Sequence, residues 1–364
     1  MTIQRKELLE SLKACMPGIE TGSAVLQGAD SFVFHDGRIF TYNDSISVTV
    51  PIKNKGLLEE GPEGCVKAEE FFKIISKFPV DEIKFSVTEH GTWLLKCGKA
   101  KAEMSLINFD FETRLKNIAP VEDAWISLND DFIAGVNACK MSVNKSQLSG
   151  ICFEGNEVIS TDGNQMNCYT MKGVELPKFW ISDNSANELL KLRKLVAVQL
   201  QGTWAHFKSE DGTMFSIKTL NSEMYPVEKL TNIMNASNPE KAKLHTKFPK
   251  DLFNAIDRAV SFGMNVHDNL VVRLEISKEK IEVSSERSAG KYNEKVAWEE
   301  KINEDFESFI VYVDVNMMQF VAQRTLEFFL LEGPIINGKS LPRMLFVTES
   351  SKHLLCTLNA DTEE

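Results

Sequence analysis

The sequence lacks any apolar run long enough to cross a membrane. Its longer stretches, such as Phe309-Ile-Val-Tyr-Val313, fall far short of the ~18 residues a spanning helix needs. The first ten residues lack the apolar centre of an export signal. Cysteine is sparse, with seven scattered residues and no Cys-x-x-Cys pair. An odd number of unpaired thiols without an export signal implies reduced cysteines and a cytoplasmic protein. Basic residues are outnumbered, 41 Lys+Arg against 52 Asp+Glu, for a net charge of −11. That excludes coating nucleic acid through an overall basic surface, but not contact through a local one. What is present is ordinary for a globular chain of 364 residues: 43% hydrophobic, 26% charged, and length for two or three domains.

Catalytic patterns are equally scarce. The six histidines (35, 90, 206, 245, 267 and 353) never stand at i,i+4 or beside a cysteine at ligand spacing, so no metal site is expected. Asp130-Asp131 complements a helix dipole more simply than it makes a catalytic pair. Residues 333–340, from Gly333 through Gly338-Lys339-Ser340, satisfy the phosphate-loop pattern G-x-x-x-x-G-K-[ST]. That chemistry needs a helix directly afterwards, whereas Leu341-Pro342 and an apolar β-like run follow. The segment is expected to be a loop between antiparallel strands. No catalytic residue, cofactor or enzyme activity is expected.

The organising feature is a threefold repeat of pattern. Helical apolar spacing marks residues 5–16, 67–77, 129–143, 184–195, 248–263 and 314–326. Alternating hairpins lie between them, at 32–42 (turning at Asp36-Gly37), 151–160 and 271–284, then at 83–97, 196–218 and 344–358. The order is helix, hairpin, helix, hairpin, three times, with corresponding elements about 120 residues apart. Polar, turn-rich linkers at 118–123 and 235–243 divide the chain into domains 1–122, 123–244 and 245–364. The fold class is α+β, with helices against antiparallel sheets.

Charge follows this division. The helical segments are slightly positive and the acidity lies elsewhere. Lys13, Lys73, Lys77, Lys140, Lys191, Lys194, Arg258 and Arg324 are either ordinary solvated helix positions or one shared surface that attracts a polyanion.

At this point the sequence resembles the bacterial-type DNA sliding clamp, the beta subunit of the replicative polymerase (DNA polymerase III). The local match is best from Leu148-Ser-Gly150-Ile-Cys-Phe through Val158-Ile-Ser-Thr161-Asp162-Gly163-Asn164-Gln165-Met166. It is similar to the clamp segment in which a strand ends in Thr-Asp-Gly-His-Arg-Leu. Met224-Tyr225-Pro226-Val227 resembles the family's Phe/Tyr-Pro element, and residues 248–263 followed by 271–276 its last opening helix and strand. Asn164-Gln165 stands where the family has His-Arg, Met166 where it has Leu, and the chain runs on past Leu358 as Asn-Ala-Asp-Thr-Glu-Glu. These departures are those of a divergent member, such as one carried by a phage.

The resemblance implies a homodimeric ring of six domains around double-stranded DNA, held by topology and weak sequence-independent attraction. The helices would face the DNA. Met104 and Leu106 of one subunit and Ser261 and Phe262 of the next would form the dimer contact, with edge strands paired between subunits. DNA polymerase and clamp loader would insert apolar peptide anchors into a cleft between the second and third domains. Its matching positions are Leu148, Thr161, Gly163, Asn164, Gln165, Met166, Pro226, Leu354, Cys356, Thr357 and Leu358. The rival readings are a phosphate-loop NTPase using residues 333–340 and a three-domain interaction scaffold that never encircles DNA.

Overall fold

The computed structural model describes residues 2–20, 22, 26–52, 62–108, 110–118, 120, 124–140, 148–192, 194–266, 269–333, 335–336 and 339–357. Among them are eight α-helices: α1 (Arg5–Cys15), α2 (Ala68–Lys77), α3 (Phe111–Ile118), α4 (Asp130–Cys139), α5 (Asp183–Leu189), α6 (Val227–Ala236), α7 (Asp251–Ala259) and α8 (Val315–Ala322). The chain divides into two compact units, Met1–Ile133 with Asn184–Leu220, and Ala134–Asp183 with Asn221–Glu364.

The first unit is built on an eight-stranded antiparallel sheet. Its strands run in the order Gly64–Lys67, Ser31–His35, Arg38–Tyr42, Ile46–Pro51, Met214–Lys218, Trp204–Ser209, Leu195–Gln201 and Ile126–Ser127. The Ser31–His35 and Arg38–Tyr42 hairpin closes through Asp36 (φ 49°) and Gly37 (φ 65°), two left-handed residues whose twist suits a two-residue turn. A second sheet orders Thr2–Gln4, Glu82–Val87, Trp93–Cys97 and Ala100–Met104. On α2, Glu69 and Glu70 in the first turn and Lys77 in the last complement the helix dipole, while Phe71 and Ile75 are buried. Phe34 meets Trp93 edge-on at 5.0 Å, and Phe71 meets both rings. Such pairs add about 0.5–1.5 kcal/mol each to their area burial.

The second unit repeats the plan. Its eight-stranded sheet runs Leu176–Ile181, Ile151–Gly155, Glu157–Thr161, Gln165–Thr170, Ser351–Cys356, Arg343–Val347, Glu327–Leu331 and Leu244–Lys247. A second sheet orders Met264–Val266, Asn269–Ile276, Lys280–Arg287 and Gly290–Ala297, with Phe309–Asp314 also paired to Asn269–Ile276. Phe248 and Phe328 stack at 3.8 Å with planes 5° apart, inside a core that includes Ile256, Leu274 and Met318. Asp314 caps α8 by accepting the Met317 N–H at 3.1 Å.

All six expected helical segments and all six hairpin regions contain such elements, with several boundaries corrected. The expected helix at 184–195 stops at Leu189, because Lys194 turns left-handed (φ 44°) and Leu195 begins a strand paired with Ser209. The one at 129–143 is seen as Asp130–Cys139, and residues 141–143 lie outside the described residues. Pro249 precedes α7, and the 314–326 segment ends at Ala322. Strand Trp204–Ser209 was not expected. It returns from Leu195–Gln201 through Gly202-Thr203 and becomes the true partner of Met214–Lys218 across Asp211-Gly212. Helices α3 and α6 were also not expected.

The phosphate-loop alternative fails on topology. Ile335–Ile336 pairs antiparallel with Lys339–Ser340, and the next element is the strand Arg343–Val347. A hairpin offers no helix N-terminus to a phosphate.

Candidate peptide groove

The groove starts from the turn after strand Glu157–Thr161. Asp162 Oδ1 accepts the backbone N–H groups of Asn164 and Gln165, both at 2.9 Å, and its Oδ2 accepts the Gln165 side-chain amide at 2.9 Å. Thr161 donates its hydroxyl to the Gln165 carbonyl at 2.6 Å and accepts the Gly163 N–H at 3.1 Å. Gly163 sits at φ 94°, where a side chain would be strained. The Thr161, Asp162 and Gln165 side chains are therefore spent on shaping the turn. Burial pushes the Asp162 carboxyl above its usual range against the pull of those donors.

The turn delivers Gln165–Thr170 to Ser351–Cys356, with Met166 opposite Leu354 and Gln165 opposite Leu355. The Cys356 N–H donates to the Asn164 carbonyl at 2.8 Å, and Thr357 donates its hydroxyl to the Pro342 carbonyl at 2.7 Å. Met166 and Leu354 are buried in an apolar cluster with Trp180, Tyr225, Val227, Leu230 and Met234, and Leu148 packs against it. Trp180 and Tyr225 lie 5.0 Å apart. Half-buried Pro226 directly precedes α6, whose Val227, Leu230 and Met234 form the inward stripe.

Of the eleven residues proposed from sequence, the fold thus gathers ten on one stretch of the second unit: the turn, the strand pair, Leu148 and Pro226. Leu358 lies outside the described residues. The sequence reading missed the wall formed by Trp180, Tyr225 and the α6 stripe. The signal was there, since Val227, Leu230 and Met234 recur at helical spacing just after a proline. Met224, named from sequence only as part of the Met224-Tyr225-Pro226-Val227 likeness, is 71% exposed beside Tyr225. At the other end of Gln165–Thr170, Cys168 and Thr170 help line a separate cavity of about 110 Å³.

Half-buried Cys356 has its thiol pushed up by burial, which disfavours a nucleophilic thiolate. No cluster of three or more metal-ligating side chains occurs among the described residues. This apolar cluster is buried, and the more accessible apolar side chains beside the rigid polar turn are Leu148, Pro226 and the exposed Met224.

The proposed cations do not all remain free. Lys13, Lys73 and Lys77 are exposed on α1 and α2, and Lys140 is half-buried just beyond α4. Lys191 bridges Glu188 at 2.6 Å and Lys194 bridges Glu210 at 2.9 Å. Arg258 binds Glu294 at 2.7 Å and the Tyr292 hydroxyl at 3.1 Å. Arg324 is the clearest departure from a free cation. It donates to the carbonyls of Asn137 (2.7 Å) and Ala138 (2.8 Å) at the end of α4 and lies 3.8 Å over the Phe320 ring. A guanidinium so occupied serves as a brace.

The proposed dimer residues flank strand edges. Buried Met104 ends Ala100–Met104, a terminal strand of its sheet, and half-buried Leu106 follows it. Gly290–Ala297 is also terminal. Half-buried Phe262 packs beside Gly290, and Ser261 is exposed.

No family model matches the sequence. The Beta sliding clamp of Bacillus subtilis (strain 168) is 25% identical over 312 residues, covering 78% of this chain and 80% of that protein. A crystal structure of the DNA polymerase sliding clamp from Bacillus subtilis superposes with a TM-score of 0.78 at 19% identity, over 99% of this chain and 98% of that one. The Helicobacter pylori beta clamp bound to a DNA ligase peptide gives 0.75 at 14% identity, covering 99% of both chains. DNA polymerase III beta chain from Streptococcus pneumoniae TIGR4 gives 0.78, also at 14% identity and 99% of both. The fold is therefore that of these clamps over almost the whole chain.

Proposed function

We propose that this chain, a homologue of the bacterial beta sliding clamp, is a DNA polymerase sliding clamp: a non-enzymatic, ring-forming processivity factor. The observation that carries the proposal is the extent of the similarity, since both the sequence relative and the clamp fold extend over most of the chain. Three domains, 1–122, 123–244 and 245–364, repeat in each of two head-to-tail subunits and close a six-domain ring around duplex DNA. The terminal strands Ala100–Met104 and Gly290–Ala297 pair between subunits, which satisfies backbone groups that would otherwise remain on exposed edges. Met104, Leu106, Ser261 and Phe262 pack beside that junction.

Lys13, Lys73, Lys77 and Lys140 provide the attraction to the DNA backbone, with Lys191 and Lys194 contributing less because each is paired to a carboxylate. Such contacts are weak and screened within about 8–10 Å at physiological salt, so the ring slides. Arg258 and Arg324 hold the fold. The second-unit groove, with Leu148, Met166, Pro226 and Leu354 as its apolar part and residues 161–165, 356 and 357 as its rim, receives the apolar anchors of peptides from DNA polymerase and clamp loader. Among the described residues no helix is long and apolar enough to span a membrane. The site of action is the cytoplasm, where the DNA lies.

The test is retention by topology. Protein loaded onto nicked circular plasmid by its clamp loader stays bound through gel filtration at high salt, and leaves when a restriction enzyme linearises the plasmid. Equal retention on circle and line refutes encirclement and favours a scaffold.

A further inference from the structure

The two terminal strands at the proposed junction carry enough detail to fix how they meet. Ala100–Met104 ends its sheet in the first unit, and Gly290–Ala297 ends its sheet in the second. Ala100 pairs with Cys97 across the two-residue turn Gly98-Lys99, and Gly290 pairs with Arg287 across Ser288-Ala289. Residues flanking such a turn aim their N–H and C=O groups at each other, and along each strand the direction then alternates. Lys101 and Glu103, and on the other strand Lys291, Asn293 and Lys295, therefore direct their backbone groups to the open edge. Antiparallel pairing, as within both hairpins, sets these two groups against each other. Only two registers do so while keeping all of Ala100–Met104 within Gly290–Ala297. One opposes Lys101 to Asn293 and Glu103 to Lys291. The other, displaced by two residues, opposes Lys101 to Lys295 and Glu103 to Asn293.

Charge separates the two registers. Lys84, Lys96 and Lys101 are exposed side by side across the first-unit sheet. The second register adds Lys295 to that row as a fourth lysine, and directly opposed like charges are destabilising. The first ends the row at Asn293, a neutral amide that donates to Glu282, and brings Glu103 to Lys291. Both of those charges have contacts already. Glu103 accepts the Thr92 hydroxyl, which leaves its charge in place, and Lys291 pairs with Glu286 on the neighbouring strand. Glu103 would stand two strand spacings from Glu286, roughly 10 Å and a full Debye length at physiological salt. It would stand one spacing from Lys291, so the attraction outweighs the repulsion. The inner face agrees. In the first register Ala100, Ala102 and Met104 oppose Glu294, Tyr292 and Gly290. The small alanines leave the Arg258 hydrogen bonds to Glu294 and Tyr292 undisturbed. At Gly290 a Cβ would lie 2.9 Å from the Phe262 ring, so the side chain opposite it, Met104, meets that ring directly.

We propose that a second copy of this chain joins the first in that register, with Lys101 opposite the partner's Asn293 and Glu103 opposite the partner's Lys291. The junction then selects its own alignment, because a copy displaced by two residues meets a row of four lysines. The proposal rests on reading the chain as a ring-forming clamp; the choice between registers rests on strand parity and charge.

The test is disulfide cross-linking of the full chain under mild oxidation, with the products mapped by mass spectrometry to separate introduced from native thiols. Lys101→Cys with Asn293→Cys is expected to give a covalent dimer, since opposed residues bring Cα atoms to about 5.5 Å, within disulfide reach. Lys101→Cys with Lys295→Cys is expected to stay largely uncoupled. Glu103→Lys is expected to raise the dimer dissociation constant about fivefold in analytical ultracentrifugation, and adding Lys291→Glu to recover most of that loss. Preferential coupling through Lys295→Cys overturns the register and leaves the ring reading standing. So does coupling through neither pair in a chain that still sediments as a dimer, and so does a Lys291→Glu change that rescues nothing. A chain that couples through neither pair and sediments only as a monomer overturns the ring reading and the register with it.

Discussion

Removing the Arg324 side chain separates a brace from a DNA contact. Its guanidinium makes two charge-assisted hydrogen bonds, to the carbonyls of Asn137 and Ala138, and covers the Phe320 ring. Hydrogen bonds to a charged group contribute about 1.5–3 kcal/mol each, and a cation–π contact about 0.5–1 kcal/mol. The Arg324 side chain is part-buried, so water recovers some of each carbonyl bond in Arg324→Ala. The expected loss is about 2–3 kcal/mol of stability, read as a lower urea midpoint with an unchanged slope. Arg324→Lys, which keeps the charge but cannot reach both carbonyls as a planar fork, should recover less than half. Low-salt attraction to duplex DNA should keep its salt dependence. Lys73→Glu with Lys77→Glu should do the reverse, leaving stability within about 0.5 kcal/mol and weakening low-salt attraction to duplex DNA with a shallower salt dependence, because fewer counterions are released. If Arg324→Ala leaves stability intact while weakening DNA retention, Arg324 is a DNA contact and the brace assignment is wrong.

Two further outcomes follow from buried groups. His353 lies among Phe320 and Phe346 with neither ring nitrogen hydrogen-bonded, and burial lowers its pKa to about 3. His206 is lowered to about 4 by the same cause. In both cases the unfolded chain takes up the proton first, so the stability they allow is complete above the ordinary histidine pKa of about 6.5 and is lost as pH falls toward 4. His353→Phe should flatten that slope by about one proton and be neutral or stabilising at pH 7; an unchanged slope in urea titrations at pH 4.5–7 would show that His353 is already charged or exposed. Met166→Ala should weaken a polymerase-derived peptide by roughly tenfold, the effect of trimming one apolar anchor contact, in fluorescence anisotropy, while gel filtration still reports the dimer. Undiminished binding would move the peptide site away from Met166.

Much of this was legible locally. Asp36-Gly37 marks its hairpin because left-handed turn residues act over two positions, and α1 and α2 follow from apolar residues three and four apart. Boundaries failed where an apolar run crossed from helix to strand. Leu195 continues the α5 stripe in sequence, yet the strand pairing with Ser209 takes it. Helix α6 went unseen because its stripe is short and directly follows Pro226. The groove positions came from a resemblance in sequence, which supplied their proximity without its cause. That cause is the pairing of Gln165–Thr170 with Ser351–Cys356, segments nearly two hundred residues apart.

The amino-acid sequence by itself determined the alternation of helix and hairpin, its threefold recurrence and the absence of metal-ligand spacing, whereas the slight positive charge expected of the helices is lost once α4 and α5 end before Lys140, Lys191 and Lys194. These depend on side-chain period, turn chemistry and composition, which act within a few residues. Only the tertiary structure decided which charges are spent and which remain. Arg324, Arg258, Lys191 and Lys194 are occupied by carbonyls or carboxylates. Likewise, only strand register placed Met166 against Leu354 and Ser47 against Ser216. Partners and cavities depend on residues far apart in the chain, and their positions exist only once the sheets have paired.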